Sequence, residues 1–324
     1  MSIDAQRRKE RVALLSVVSN TTLVVLKLAV GLLIGSVSVI SEAIHSGVDL
    51  TAAVIAFFSV KTSSLPADGK HPFGHGKIEN ISGTVEALLI FIAAGWIIWE
   101  AVGKLLRPQA VETVGWGIGV MLLSAATNAG VARMLFKVGK ETDSVALMAD
   151  GWHLRTDVYT SAGVMAGLAV MWGGESLFPG KHFHWLDPLA AIGVALLIIK
   201  AAWELTRQSA GGLMDETLPP EEETEIRRLI AAHFPVIHGY HQLRTRKAGP
   251  FRFVEVHIQV DGQMSVETAH RLNQELVREI RERFPHVTVT VHTEPYSGLC
   301  GAKCLSGCLL PEEERNRLQR NPRK

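Results

Sequence analysis

The sequence predicts an α-helical membrane protein: a six-transmembrane-helix bundle followed by a small α+β domain of element order αββαβ. Three observations lead there. The 324 residues are 47% apolar and have a mean hydropathy of +0.19, high for a chain that is also 20% charged. The charge is unevenly spread, because residues 1–207 hold 17 basic and 16 acidic groups while the remaining 117 hold 16 of each. Long apolar stretches fill the front part, and alternating strand patterns appear only in the back part.

A hydrocarbon core about 30 Å thick takes roughly 20 helical residues per crossing. Val12 to Val60 is long enough for two, broken at Gly35-Ser36. Four more stretches follow, Ile78 to Leu106, Thr113 to Phe136, Ser144 to Trp172 and Asp187 to Leu205, parted by segments rich in Gly, Pro or charge. Arg7, Arg8, Lys9, Arg11, Lys61, Lys70, Lys77, Arg133, Lys137, Lys140 and Arg207 then fall on one side, and only Lys104, Arg107 and Lys181 on the other. The positive-inside rule makes both termini cytoplasmic. The basic start, MSIDAQRRKER, lacks a small-residue cleavage site behind it and reads as a cytoplasmic segment (1–11) rather than a removable signal. The membrane domain is expected over 12–207.

Beyond Arg207 the pattern changes. Pro219 to Phe234 opens with Pro and Glu, as a helix start should. A short strand is expected near Tyr240 to Arg246. Val254, Val256, Ile258 and Val260 then alternate in FVEVHIQV, and Val287, Val289 and Val291 do so in HVTVTVHTE, with a charged helical stretch from Val266 to Phe284 between them. The domain (208–298) has a thin core, so burial against a second copy is expected. The tail (299–324) is read as flexible. It holds the only three cysteines, Cys300, Cys304 and Cys308, an odd number that offers no disulfide framework. Their spacing of four would align thiols as metal ligands only on a helix, which Gly301, Ser306 and Gly307 oppose. A net charge of +1 removes a general nucleic-acid partner.

An ionisable side chain at the centre of a membrane helix costs roughly 2.5 to 3.5 kcal/mol on insertion scales, which makes intramembrane acids and histidines functional candidates. The second helix carries His45 and Asp49 in HSGVD, and the fifth carries His153 and Asp157 in HLRTD. Spacing of four puts each His and its Asp on one helical face. At 1.5 Å per residue the first pair lies about 14 to 20 Å along its helix, and the second lies as deep from the opposite surface. Two imidazoles and two carboxylates make a tetrahedral set whose charge neutralises a divalent cation, and zinc suits it best. The plain alternative is that each pair only bonds a neighbouring helix; two matched pairs at matched depth favour the metal. Without thiolates such a site exchanges metal readily and binds protons in competition, which points to proton-coupled export. Asn20, Lys27, Glu42, Glu86, Asn128, Asp150 and Arg155 lack such pairing and read as cavity lining or interhelical bonds.

Two further clusters stand outside the bilayer. The loop LPADGKHPFGHGKIE brings Asp68, His71 and His75 within eight residues, either a second metal site or a solvated turn. His257 projects from the polar face of its strand, and His292 shares a face with Glu294. With His241 and His270 they make a candidate regulatory zinc site. Lys77, at the start of the third helix, is matched with Asp215 beyond the sixth.

These motifs, HxxxD twice, DGKHPFGHGKIE, LRTRKAGP, FVEVHIQV and VHTEP, resemble the cation diffusion facilitator family of zinc and related metal exporters, over about Val12 to Pro295. The resemblance implies a V-shaped homodimer, a metallochaperone-like cytoplasmic domain, and alternating access with metal–proton antiport in the inner membrane. Carried over by position, it implies a transport site of His45, Asp49, His153 and Asp157, a loop site of Asp68, His71 and His75, and a cytoplasmic site of His241, His257, His270, His292 and Glu294. Lys77 and Asp215 look like the family's charge interlock. Several bacterial relatives have Asp in place of His45, and family cytoplasmic sites often have Asp in place of Glu294. Two His and two Asp favour Zn2+ as substrate and regulatory ligand over manganese, with Cd2+, Co2+, Ni2+ or Fe2+ as secondary cargoes. The expected partners are thus divalent metal ions, protons, the lipid bilayer and a second copy of the chain. Two other classes fit the sequence less well. A membrane metal sensor would need an output module, and none is recognisable. An intramembrane metalloenzyme would need HExxH and an open coordination position, and this chain has four protein ligands and no such motif.

Overall fold

The computed structural model describes residues 3–34, 37–106, 115–177, 186–296 and 307–313. It divides into two compact units, Ser2–Leu213 and Met214–Lys324. The first is built from six long helices: α1 (Ile3–Ile34), α2 (Val37–Ser63), α3 (Lys77–Leu106), α4 (Gly115–Thr142), α5 (Val145–Leu177) and α6 (Leu186–Leu213). The shortest, at 27 residues, spans about 40 Å, more than a bilayer core. Among the described residues α1, α3 and α6 are long and apolar enough to cross a membrane by composition alone.

Small residues set the helix spacing. Ala52, Ala53 and Ala56 of α2, Ala87 and Ala94 of α3, Ala146 and Ala149 of α5 and Ala195 and Ala202 of α6 are fully buried, so backbones approach closely where lipid offers no hydrophobic drive to association. A Cβ at Gly83 would run into Ser209, and one at Gly212 into Asn80, so α3 and α6 are in near contact. Large apolar side chains such as Ile92, Trp96, Trp99, Leu197 and Trp203 remain exposed on the outside, as lipid-facing groups should. The central helix is α5, which packs against α2, α3, α4 and α6.

Two expectations need correction, on Arg155 and on the tail. The segment from Ile3 is helical and continuous with the rest of α1. Its Lys9 is 0% exposed, because the Glu79 carboxylate of α3 lies 2.5 Å from its Nζ. Both α4 and α6 run past their apolar stretches, to Thr142 and Leu213, carrying Lys137, Lys140 and Arg207 on their final turns. Arg155 is not a buried polar group; it is exposed on α5, and its guanidinium lies 5.2 to 5.6 Å from the ring centres of Trp152, Tyr159 and Phe136, a cation–π cage. Finally, the tail is not flexible throughout. Tyr240 donates its N–H to the Gly307 carbonyl and Leu309 donates to His238, so residues 307–309 pair with the free edge of the sheet, and Leu310 is buried. Cys308 is a half-buried free thiol there; Cys300 and Cys304 lie outside the described residues.

The second unit has the order α7 (Pro220–Ala231), β1 (Gly239–Ala248), β2 (Phe251–Val260), α8 (Val266–Arg283), β3 (Val287–Pro295). The sheet order is β1-β2-β3, antiparallel then parallel, with α8 as the crossover. Pro220 and three acids open α7, and Ser265 caps α8 by accepting the Thr268 N–H at 3.2 Å. Ile226 and Ile230 of α7, and Leu272, Leu276 and Ile280 of α8, pack on Val254, Val256, Ile258 and Val260. The other sheet face is polar. β1 and β2 meet at a turn through Gly249, whose φ of +56° favours glycine.

Candidate metal centres

Inside the helical unit, His153 and Asp49 face one another from α5 and α2, with Nε2 to Oδ1 at 3.1 Å. Both side chains are 6% exposed. One oxygen of Asp157, a turn further along α5, lies within the same 4.8 Å set of ligand atoms. The four-residue spacing on α5 achieves this, with both groups on the face turned to α2. The other ring nitrogen of His153 is buried without a hydrogen-bond partner among the described residues. Asn128 of α4 donates to Asp157 Oδ2 at 3.5 Å, and Lys27 of α1 donates to Ser46 of α2 at 2.7 Å, both interhelical bonds. The His45 side chain lies outside the described residues.

The loop between α2 and α3 folds around Asp68. Its Oδ1 accepts the backbone N–H groups of His71 (2.7 Å) and Lys70 (2.8 Å), and Gly74 closes the turn at φ +81°. His71 Nδ1 stands 3.2 Å from Asp68 Oδ1 and His75 Nε2 3.4 Å from Oδ2, so the three form a compact ligand set. The His71 amide first, then that of Lys70, holds the Asp68 carboxyl below its ordinary value. A depressed folded value means that the turn's electrostatic support is complete above the ordinary value of 3.8 and fades as pH falls through the lower folded one. The protection factors of the Lys70 and His71 amides, with the intrinsic pH dependence of exchange divided out, should therefore hold down to about pH 5 and fall below about pH 4. Equal protection at pH 3 and pH 6 would refute that support.

In the second unit, His241, His257 and His292 stand side by side on β1, β2 and β3, each opposite the next in register. Glu294 gathers them. Its carboxylate lies 2.9 Å from His241 Nε2, 2.8 Å from His257 Nδ1 and 3.5 Å from His292 Nε2. His257, then His241, hold the Glu294 carboxyl below its ordinary value by hydrogen bonding. His241, His257 and Glu294 offer ligand atoms within 4.8 Å of one another. His292 is more exposed, at 61%, and His270 stands on α8 bonded to Gln274 at 3.1 Å, outside that set. A bulge after His241, where Gln242 has φ +50°, re-aims β1 at this point.

Lys77 donates to the Leu213 carbonyl at 3.2 Å, and Asp215 accepts from Arg246 at 3.2 Å. The two belong to different units.

A family model of the cation efflux transmembrane domain matches residues 13–214, and one of the cation efflux protein cytoplasmic domain matches residues 218–296. The chain belongs to the cation efflux, or cation diffusion facilitator, family. Within that family it is 36% identical over 283 residues, 87% of the chain and 89% of the relative, to an uncharacterized transporter of Synechocystis sp.. It is 29% identical over 291 residues, 90% and 94% of the two chains, to the cation-efflux pump FieF of Klebsiella pneumoniae. A solved metal-bound C-terminal domain of the CzcD transporter from Thermotoga maritima is 33% identical to it, covering 24% of this chain and 94% of that one, with a TM-score of 0.22. As a cation efflux protein the chain is a membrane transporter of divalent metal ions and not an enzyme.

Proposed function

We propose that the chain exports Zn2+ from the cytoplasm in exchange for protons by alternating access, as a homodimer in the inner membrane with both termini cytoplasmic. What supports this reading is the meeting of Asp49, His153 and Asp157 from two helices inside the bundle, with Asp49 and His153 buried. Two carboxylates and an imidazole with no thiolate hold zinc firmly enough to strip its water and loosely enough to yield it to protons. His45, one turn from Asp49 on α2, completes the set. Cd2+, Co2+, Ni2+ and Fe2+ are secondary cargoes. The Asp68, His71 and His75 loop collects ions at the cytoplasmic face. Glu294 with His241, His257 and His292, and with His270 after a movement of α8, binds regulatory zinc.

The test is zinc accumulation in proteoliposomes with an acidic lumen. Accumulation should follow the pH gradient and collapse when an ionophore dissipates it, with the other metals competing less well. Uptake indifferent to the gradient would remove the antiport. For the regulatory site, His257→Ala should weaken zinc-dependent closure of the dimer, read by crosslinking, while gradient-driven uptake persists; full closure in the variant would count against that site.

A further inference from the structure

Two carboxylates in the bundle are used by none of these sites. Glu86 of α3 and Asp150 of α5 are both 0% exposed. Ser82 donates to Glu86 Oε1 at 3.0 Å, but Glu86 Oε2 and both oxygens of Asp150 have no hydrogen-bond partner among the described residues. The Ser16 hydroxyl of α1 faces Asp150. The acids are close neighbours. Asp150 is the like charge felt by Glu86, and the flanking Ala87 and Ala149 share one packed cluster. Asp150 precedes His153 by three residues, one step of about 4.5 Å along α5 towards its N-terminal end. Glu86 lies two turns beyond Glu79 on one stripe of α3, so buried polar groups continue from the end of the bundle to the transport site.

Buried carboxylate oxygens without a donor are costly, and two acids near one another are more so, unless a cation joins them. We propose that Glu86 and Asp150, with the Ser82 and Ser16 hydroxyls, form an oxygen-only station that takes the divalent cation in transit, one step before His153. The donor chemistry sets the direction of travel. An all-oxygen set holds a transition metal more weakly than one containing imidazole, so the ion moves on to the site with nitrogen ligands. The station deepens the transport reading and rests on it for its purpose, but its occupancy is measurable without transport.

Two measurements on the intact chain in lipid nanodiscs or proteoliposomes test it, with Mn2+ as the probe because it favours oxygen ligands. In the transport-dead Asp49→Asn/Asp157→Asn chain, electron spin-echo spectra should contain a Mn2+ population without nitrogen coupling, which every histidine-containing site would show. Adding Asp150→Asn, or Glu86→Gln should that combination fail to fold, should abolish this population. In the otherwise native chain, Glu86→Gln and Asp150→Asn should each raise the KM for uptake about tenfold and change the maximal rate by less than about twofold. A nitrogen-free population that survives both substitutions, or is never seen, overturns the station. So does an unchanged KM with a shifted pH profile, which would make the pair a proton holder.

Discussion

Replacing Asp49 or Asp157 by Asn should lower the initial rate of zinc uptake by about 100-fold or more, the scale of losing a charged ligand in a site where few groups share the work. Asn matches Asp in shape and can still meet His153 across the 3.1 Å contact, so packing between α2 and α5 is retained while the charge that offsets the metal is lost. Removing either charge leaves the ion with less compensation in a medium that solvates it poorly. Asp157 has a second role, since Asn128 donates to it; Asn128→Ala should cost less than Asp157→Asn because only the orientation of the carboxylate is disturbed. Initial rates in proteoliposomes, with size exclusion confirming the folded chain, check both. Rates within threefold of the unsubstituted chain would show that the mid-membrane pair does not carry the ion.

Much of this was readable because helix and strand periods are local. HLRTD places His153 and Asp157 on one face by spacing alone. FVEVHIQV and HVTVTVHTE announce β2 and β3 by alternation, and the parallel register that lines up His257 with His292 follows once α8 serves as the crossover. Other features depend on which helices meet, and no local period encodes that. Glu294 draws in His241 because a bulge turns β1, whereas the exposed His270 looks equivalent in the sequence and stands apart on α8. Arg155 resembled a buried charge until Phe136, Trp152 and Tyr159 were seen to cage it, two of them at i−3 and i+4 on its own helix. The tail was expected to be flexible, yet an open sheet edge offers unpaired backbone groups, and residues 307–309 take them.

The largest stability effect should come from Glu79→Ala. This carboxylate is 0% exposed and is the meeting point of four segments. Lys9 of α1 lies against Oε1 at 2.5 Å, Ser63 of α2 donates to the same oxygen at 2.9 Å, and Ser144, just before α5, donates to Oε2 at 2.6 Å. Removing it leaves the Lys9 ammonium buried without an anion, a loss of about 3–5 kcal/mol for a broken buried pair. The reverse substitution should be milder. In Lys9→Met the carboxylate keeps the two hydroxyl donors and the Ala146 amide at 3.4 Å, so about 1–3 kcal/mol is expected, and the methionine fills most of the lysine's volume. The asymmetry is the useful quantity, because a pair valued only for its mutual attraction would lose equally from either side. Thermal unfolding in detergent should order the chains as native, Lys9→Met, then Glu79→Ala. Equal losses would mean that the serines contribute nothing, and an unchanged melt for Glu79→Ala would mean that Lys9 escapes to solvent and does not tie α1 to α2, α3 and α5.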